Sequence, residues 1–222
     1  MTHDDKRRAA LAAVAEVRPG MIVGLGTGST AAFAIEALGE RVRSCLTITA
    51  VATSRATEVL ARAAGIALIA LPARIDLTID GADEIDDDLR AIKGAGGAML
   101  REKVVAAASL RVLVIADGSK RVARIGAAKI PVEALPFAQA FVATRLAALG
   151  GVPVLRAGFV TDQGNRIFDC RFPGETDHTA LATEIAAIPG ALGHGLFLTE
   201  VSAAYIAADG VVTRLERERT TR

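Results

Sequence analysis

Two glycine-rich segments and the acidic cluster between them hold the residues best suited to chemistry. The first, Gly24-Leu25-Gly26-Thr27-Gly28-Ser29-Thr30, follows the apolar run Met21 to Leu25 and leads into helical spacing from Thr30 to Leu38. Glycines there admit positive φ and close backbone approach, and the free amides of a first helical turn attract an anion. Thr27, Ser29 and Thr30 add hydroxyl donors. The plainer alternative is a structural tight turn. A dinucleotide fingerprint fails because the third position of GxGxxG is Ser29, and a Walker loop fails because no Gly-Lys-Ser/Thr follows.

Asp80 and Asp83 sit just beyond the apolar run Leu77 to Asp80, where open α/β sheets place their ligands. Carboxylates accept hydrogen bonds from sugar hydroxyls, and one held near neutral pKa can move a hydroxyl proton. The neighbouring Asp86, Asp87 and Asp88 are expected to form a solvated acidic loop, and EF-hand spacing is absent. Lys93 stands at the mouth of the second glycine segment, Gly94-Ala95-Gly96-Gly97, suited to stabilising negative charge on a carbonyl oxygen. Glu102 follows within Arg101-Glu102-Lys103, a run that on composition alone reads as a solvated helix face. Lys120, after Ala116-Asp117-Gly118-Ser119, is placed to meet an anion or to be an ordinary surface lysine. His3, His178 and His194 have no metal-ligand spacing, so no metal site and no histidine triad is expected. Glu200, Glu184 and Asp177 read as surface charges.

The elements that must position these residues alternate. Helical spacing runs over Asp4 to Val17, Arg55 to Ala64 and Ala98 to Ala108, and β-rich runs over Leu46 to Ala52, Ile66 to Leu71 and Leu110 to Ala116. Near-continuous apolar strands alternating with helices predict a parallel sheet with helices on both faces. The pattern changes after Ile130. Pro131 to Leu149 suggests a helix that Pro136 delays or bends. Strands at Val152 to Leu155 and Arg166 to Arg171, a helix at Thr179 to Ala187 and a strand at Gly195 to Thr199 then give an α-β-β-α-β order, a small α+β unit. Ala203 to Ala207 and Val211 to Leu215 form a hairpin about Asp209-Gly210, and Arg214 to Arg222 is a solvated charged tail.

Composition narrows the function classes. With 222 residues, 51% of them hydrophobic and 23% charged, the chain can build a large core. A net charge of +1 with 4% aromatics and no Trp points to neither nucleic acid nor an anionic membrane as partner. Cys45 and Cys170 form no disulfide framework, which fits a reducing cytoplasm. The charged start, Met1 to Arg8, predicts no ordinary signal peptide, and no run reaches the roughly 18–20 apolar residues of a membrane span.

Taken in order, these blocks resemble the type A ribose-5-phosphate isomerases: Gly24 to Thr30, then Asp80-Gly81-Ala82-Asp83-Glu84-Ile85, then Lys93-Gly94 through Arg101-Glu102-Lys103. Weaker echoes are Ala116 to Lys120, Val160-Thr161-Asp162-Gln163-Gly164-Asn165 and Ile188-Pro189-Gly190. The resemblance implies a Rossmann-like catalytic domain over 1–129 and 200–222, with an inserted α+β, ferredoxin-like lid over 130–199. It implies an isomerase that interconverts ribose 5-phosphate and ribulose 5-phosphate without metal or cofactor, in a homodimer or larger homo-oligomer. Glu102 is then the base. Asp80, Asp83 and Lys93 assist, and Thr27, Gly28, Ser29, Thr30, Gly81, Ala82, Gly94, Gly96 and Lys120 join them in binding the phosphosugar. Either Lys6 or Arg7 is a candidate for the phosphate. Ala95 departs from the family, which often has Gly there; a positive φ would strain an alanine. The alternatives are a sugar-phosphate sensor of related fold without catalysis, a CoA-transferase-like enzyme and a nicotinamide dehydrogenase. The first lacks an accompanying helix-turn-helix, and the last is disfavoured by Ser29.

Overall fold

Short runs of Val, Ile, Leu and Ala, buried on both sides, set the frame. The computed structural model describes residues 2–174 and 176–217. In chain order the elements are α1 (Thr2–Val14), β1 (Ile22–Leu25), α2 (Ser29–Arg43), β2 (Thr49–Ala52), α3 (Arg55–Ala63) and β3 (Leu77–Gly81). Next come β4 (Glu84–Ile85), β5 (Ala91–Ile92), α4 (Met99–Ala107), β6 (Val112–Asp117) and β7 (Ile130–Ala134). The chain continues through α5 (Gln139–Ala148), β8 (Val152–Leu155), β9 (Arg166–Arg171), α6 (His178–Ala186), β10 (Ala191–His194), β11 (Leu196–Phe197), β12 (Ala203–Ala208) and β13 (Val211–Glu216).

A six-stranded sheet has the order β13-β12-β6-β3-β1-β2, parallel throughout except for β13, which pairs antiparallel at one edge. From β1 the chain moves outward to β2, then returns to β3 and β6 on the other side of β1. The strand order therefore reverses between β1 and β3, the crevice where such sheets bind ligands. This is the expected α/β, Rossmann-like sheet. A second, four-stranded antiparallel sheet has the order β10-β7-β9-β8 and is built as β-α-β-β-α-β, a ferredoxin-like arrangement with its own core around Val132, Val142, Leu146 and Ile185. A three-stranded sheet, β11-β5-β4, lies between the acidic cluster and the second glycine segment.

Several local expectations are corrected. Ile66 to Leu71 is no strand: it makes one bridge, Ala50 to Leu68, because it runs off the sheet edge with Ile69 and Leu71 exposed and Pro72 ending the run. The start of the helix expected over Pro131 to Leu149 is strand β7, whose Ile130, Val132 and Ala134 face the second core. After a 3-10 turn at Pro136–Ala138 the helix begins only at Gln139. The small unit thus opens with a strand the sequence reading missed. Of the strand expected over Gly195 to Thr199 only Leu196–Phe197, β11, is strand; β10 precedes it in a different sheet, and Gly195 joins the two. The hairpin is β12 and β13. Of the charged tail, Arg214 to Glu216 belong to β13, and 218–222 lie outside the described residues. Among the described residues no helix is long and apolar enough to cross a membrane.

Gly195 ties the sheets to Lys93. Its carbonyl accepts from the Lys93 amide at 2.9 Å, and its own amide donates to Pro131 at 2.8 Å. A Cβ at Gly195 would lie 2.1 Å from the Lys93 carbonyl oxygen, a backbone atom that cannot step aside. Gly195→Ala should therefore cost roughly 1–3 kcal/mol or more, as overpacking does. Chemical denaturation would measure it, and a midpoint equal to that of the parent would refute the packing argument.

Candidate active site

The strand reversal places the end of β1 beside the end of β3. Gly26 crosses directly over Asp80: a Cβ there would lie 2.6 Å from the Asp80 Cα, so no larger residue fits. Asp80 is buried at 2% exposure, and its Oδ1 accepts from the amides of Thr27 (3.1 Å) and Gly81 (2.7 Å). Its Oδ2 faces Lys93 Nζ at 3.0 Å. On the other side of that ammonium, Glu102 Oε2 lies at 3.1 Å. This second contact is an ion pair without hydrogen-bond geometry, and among the described residues Oε2 has no hydrogen-bond donor. Lys93 Nζ also donates to the Gly81 carbonyl.

Glu102 is 5% exposed, which overturns the reading of Arg101-Glu102-Lys103 as a solvated face. It shares its helix face with Met99, Val105 and Ala106, all buried, and i, i+3 and i, i+4 spacing makes these one stripe. Burial, followed by the nearby Asp80 charge, pushes the Glu102 carboxyl up to about 8, although Lys93 pulls the other way. Burial alone would lower Lys93, but the facing carboxylates of Asp80 and Glu102 outweigh it and hold the ammonium above the ordinary lysine value. Lys103 is also drawn inside: it pairs with Glu200 at 2.9 Å and lies 3.8 Å from the centre of the Phe197 ring, with Lys93 Nζ 5.4 Å from the same ring. Burial lowers the Lys103 pKa against the pull of Glu200. Glu200 is accordingly not a free surface charge. Glu184 and Asp177 are exposed, and Asp177 caps α6.

Over this buried trio lies a cavity of about 170 Å³. Thr27, Gly28, Ser29, Thr30, Gly81, Ala82, Asp83, Lys93, Gly94, Gly96, Glu102 and Lys120 line it, with Lys6 and Ala95. Asp80 sits beneath its floor. The structure thus brings every expected site residue to one place. Lys6, and not Arg7, reaches it, donating to Ser29 Oγ at 3.0 Å. Gly28, at φ +109°, precedes α2 without a side-chain cap, so the first-turn amides are free for an anion between Lys6 and Lys120. The Thr27 hydroxyl is turned away into a cluster with Thr53, Ser54 and Thr57, at 2.8, 2.8 and 3.1 Å. Asp83 Oδ2 accepts from the Ala95 amide at 2.9 Å. Ala95 has no positive φ, so the departure from glycine brings no strain. Asp86 is buried and paired with Arg90 at 3.0 Å, whereas Asp87 and Asp88 are exposed as expected. A larger groove of about 590 Å³, beside α3 and α4, is mainly apolar and lacks such a cluster.

A family model described as ribose 5-phosphate isomerase A (phosphoriboisomerase A) matches residues 49–210. The chain is 53% identical over 214 residues to the ribose-5-phosphate isomerase A of Sphingopyxis alaskensis, with 94% of each covered. It is 51% identical over 221 residues to that of Roseiflexus castenholzii, with 95% of this chain and 94% of the relative covered. The solved ribose 5-phosphate isomerase A of Neisseria gonorrhoeae aligns with a TM-score of 0.93 at 37% identity, covering 98% of both chains. A solved D-ribose-5-phosphate isomerase in complex with phospho-erythronic acid aligns at 0.94 and 32% identity, covering 98% of this chain and 100% of that one.

The raised proton affinity of Glu102 carries a stability consequence. Between pH 4.5 and about 8 the folded chain holds a proton at Glu102 that the unfolded chain has released, so the group's contribution falls as pH rises through that window. Glu102→Gln removes this slope. Its stability relative to the parent should rise steadily from pH 4.5 to about 8. Paired denaturation series across pH would check this, and a constant difference would contradict it.

Proposed function

The chain belongs to the ribose 5-phosphate isomerase A family, and from that membership we propose how it interconverts ribose 5-phosphate and ribulose 5-phosphate: through an enediolate, with Glu102 carrying the proton. The observation behind this reading is a buried carboxyl group held beside a fixed ammonium at the wall of a cavity lined by two glycine segments and two further lysines.

The phosphate sits at the α2 end, between Lys6, Lys120, Ser29 and Thr30. Its binding energy orients the sugar's other end against Glu102. Asp83, which lines the cavity, takes the proton of the anomeric C1 hydroxyl; the C1 carbonyl forms as the bond from C1 to the ring oxygen breaks, and the proton passes to that oxygen, which becomes the C4 hydroxyl. Both oxygens of Asp80 are engaged below the floor, so it serves by holding Lys93. Glu102 then takes the C2 proton of the open aldose. The C2–H electron pair forms the C1–C2 double bond, and the carbonyl pair moves to O1. As Glu102 becomes neutral its hold on Lys93 weakens, and the ammonium's charge becomes available to the enediolate oxygen. Glu102 returns the proton to C1, while the O2 proton moves to O1 and leaves the ketone at C2. Burial raises the proton affinity of Glu102 above the ordinary carboxyl range, which suits a group that must both accept and return a proton. The phospho-erythronic acid bound by the related isomerase carries a phosphate and a carboxylate, the two ends this cavity is proposed to recognise.

The same reading makes residues 130–199 a lid on a catalytic domain formed by 1–129 and 200–222, in a cytoplasmic homodimer or larger homo-oligomer. Support for the lid lies in Phe159, whose ring packs against Gly97 so closely that a Cβ there would lie 2.3 Å away. No observation favours a non-catalytic sensor.

In a coupled assay with ribose 5-phosphate, Glu102→Gln should lose roughly 10²–10⁴-fold in kcat with KM little changed. Near-normal turnover would rule Glu102 out as the base. A chelator should leave the parent's rate unchanged, and turnover in heavy water should place deuterium on carbon; a chelator-sensitive reaction without deuterium uptake would favour a hydride shift.

A further inference from the structure

Arg156 lies outside the cavity, on the loop between β8 and β9, yet it grips the second glycine segment. Its Nη1 donates to the Ala95 carbonyl at 3.1 Å, and Nη1 and Nη2 reach the Gly94 carbonyl at 3.4 and 3.3 Å. The opposite edge of the guanidinium is clamped by Asp169, with Nε to Oδ2 at 3.0 Å and Nη2 to Oδ1 at 2.6 Å. Asp169 belongs to β9, and the Arg156 amide donates to Ile167 of the same strand at 2.8 Å, so the guanidinium is rigidly mounted. Its carbon centre lies 5.3 Å from the Phe159 ring.

Peptide planarity converts this grip into an orientation of donors. Across a trans peptide the C=O and the following N–H point in opposite directions. Turning the Gly94 carbonyl toward Arg156 sends the Ala95 N–H the other way, where it meets Asp83 at 2.9 Å. Turning the Ala95 carbonyl toward Arg156 likewise sends the Gly96 N–H toward the cavity that Gly96 lines. The turn is closed by the Gly97 amide on the Gly94 carbonyl at 2.9 Å. Among the described residues, the Gly96 amide has no acceptor.

We propose that Arg156 is a positioning residue for the isomerisation: by holding the Gly94 and Ala95 carbonyls outside the cavity it aims the Gly96 amide at the oxygen that becomes negative in the enediolate. This rests on the isomerase reading above and adds to it a part that the small unit supplies. The fork of the guanidinium matters as well as its charge. Two carbonyls and a carboxylate are served by one planar group, a geometry an ammonium cannot reproduce.

The test compares full-length parent, Arg156→Ala and Arg156→Lys with ribose 5-phosphate. Arg156→Ala should lose roughly tenfold to a hundredfold in kcat with KM within about threefold, somewhat less than removing an oxyanion donor itself costs. Millimolar guanidinium should restore part of that loss in Arg156→Ala and have no such effect on Glu102→Gln. Arg156→Lys should remain impaired with an unchanged melting temperature. Parental kcat in Arg156→Ala would overturn the proposal, as would a loss that added guanidinium does not relieve and Arg156→Lys fully repairs. If Arg156→Ala fails to fold, Arg156→Lys decides: parental kcat overturns the proposal, and reduced kcat at an unchanged melting temperature supports it. A parent inactive on ribose 5-phosphate would overturn the isomerase reading and this one together, an outcome distinct from an active parent with an equally active variant.

Discussion

One nearly buried ammonium between two carboxylates is the constraint around which the site is built. Burying charges is costly, and an ion pair offsets the cost only when its geometry is good and the remaining lone pairs find donors. Asp80 meets that condition, with two backbone amides on one oxygen and Lys93 on the other. Glu102 falls short: its Oε2 faces Lys93 as an ion pair and, among the described residues, accepts no hydrogen bond, whereas Asp80 has its two backbone amides besides Lys93. The trio therefore has a strong member and a weak one. Burial and the Asp80 charge bear on the weak one, and that is why Glu102 is the group whose proton affinity rises. What would be a defect in a structural ion pair is the property needed for the proton-carrying role proposed for Glu102.

Such a cluster persists only if the scaffold cannot relax around it. Its three members come from the end of β3, the residue after β5 and the first turn of α4, and the first two are each held against a glycine that tolerates no side chain. Gly26 lies so close over Asp80 that a Cβ there would meet the Asp80 Cα at 2.6 Å. Gly195 grips the Lys93 backbone. Phe197, fully buried, lies within reach of both the Lys93 and Lys103 ammoniums, and Glu200 balances the second of these. The aromatic face offers both cations a partner that adds no further negative charge.

How much of this was legible in the sequence depends on whether the signal was local. The sheet and its helices were legible because long apolar runs alternate, and the glycine segments because a tight turn needs glycine. Lys93, Asp80 and Asp83 could be gathered into one candidate site because they lie beside or between those turns. Glu102 was misread on composition, since Arg101 and Lys103 beside it suggested a wet face; the Met99, Glu102, Val105 and Ala106 stripe, with a carboxylate on an apolar face, was the available sign. Asp86 and Glu200 were misread because their partners, Arg90 and Lys103, could not be assigned from the acids themselves. Strand β7 was lost because Pro131 and the later helix masked a five-residue strand whose alternation shows only against its neighbours. Arg156 gave no signal at all. Its role arises from meeting Gly94, 62 residues away in sequence, and Asp169, and no local pattern records that.

The helix that carries Glu102 explains why the two sheets cannot be treated as independent. One side of α4 packs on the parallel sheet, where Val105 lies against Gly24 of β1. Another side meets β7 and β10, with Leu100 against Gly193. Beyond it, buried Glu133 on β7 accepts from Thr161 and Asn165 at 2.8 Å each and so fixes the turn between them. From that turn Asp162 accepts from the Arg55 amide, at the start of α3, at 2.7 Å. Ser54, which caps that helix, holds the Thr27 hydroxyl, and the Thr27 amide returns to Asp80. A continuous polar path thus runs from the four-stranded sheet to the buried trio, parallel to the apolar packing of α4. The position of Glu102 relative to Asp80 is set from both sides at once. A proton carrier that must address adjacent carbons needs that double constraint more than it needs any one strong contact, because its task is defined by where it stands.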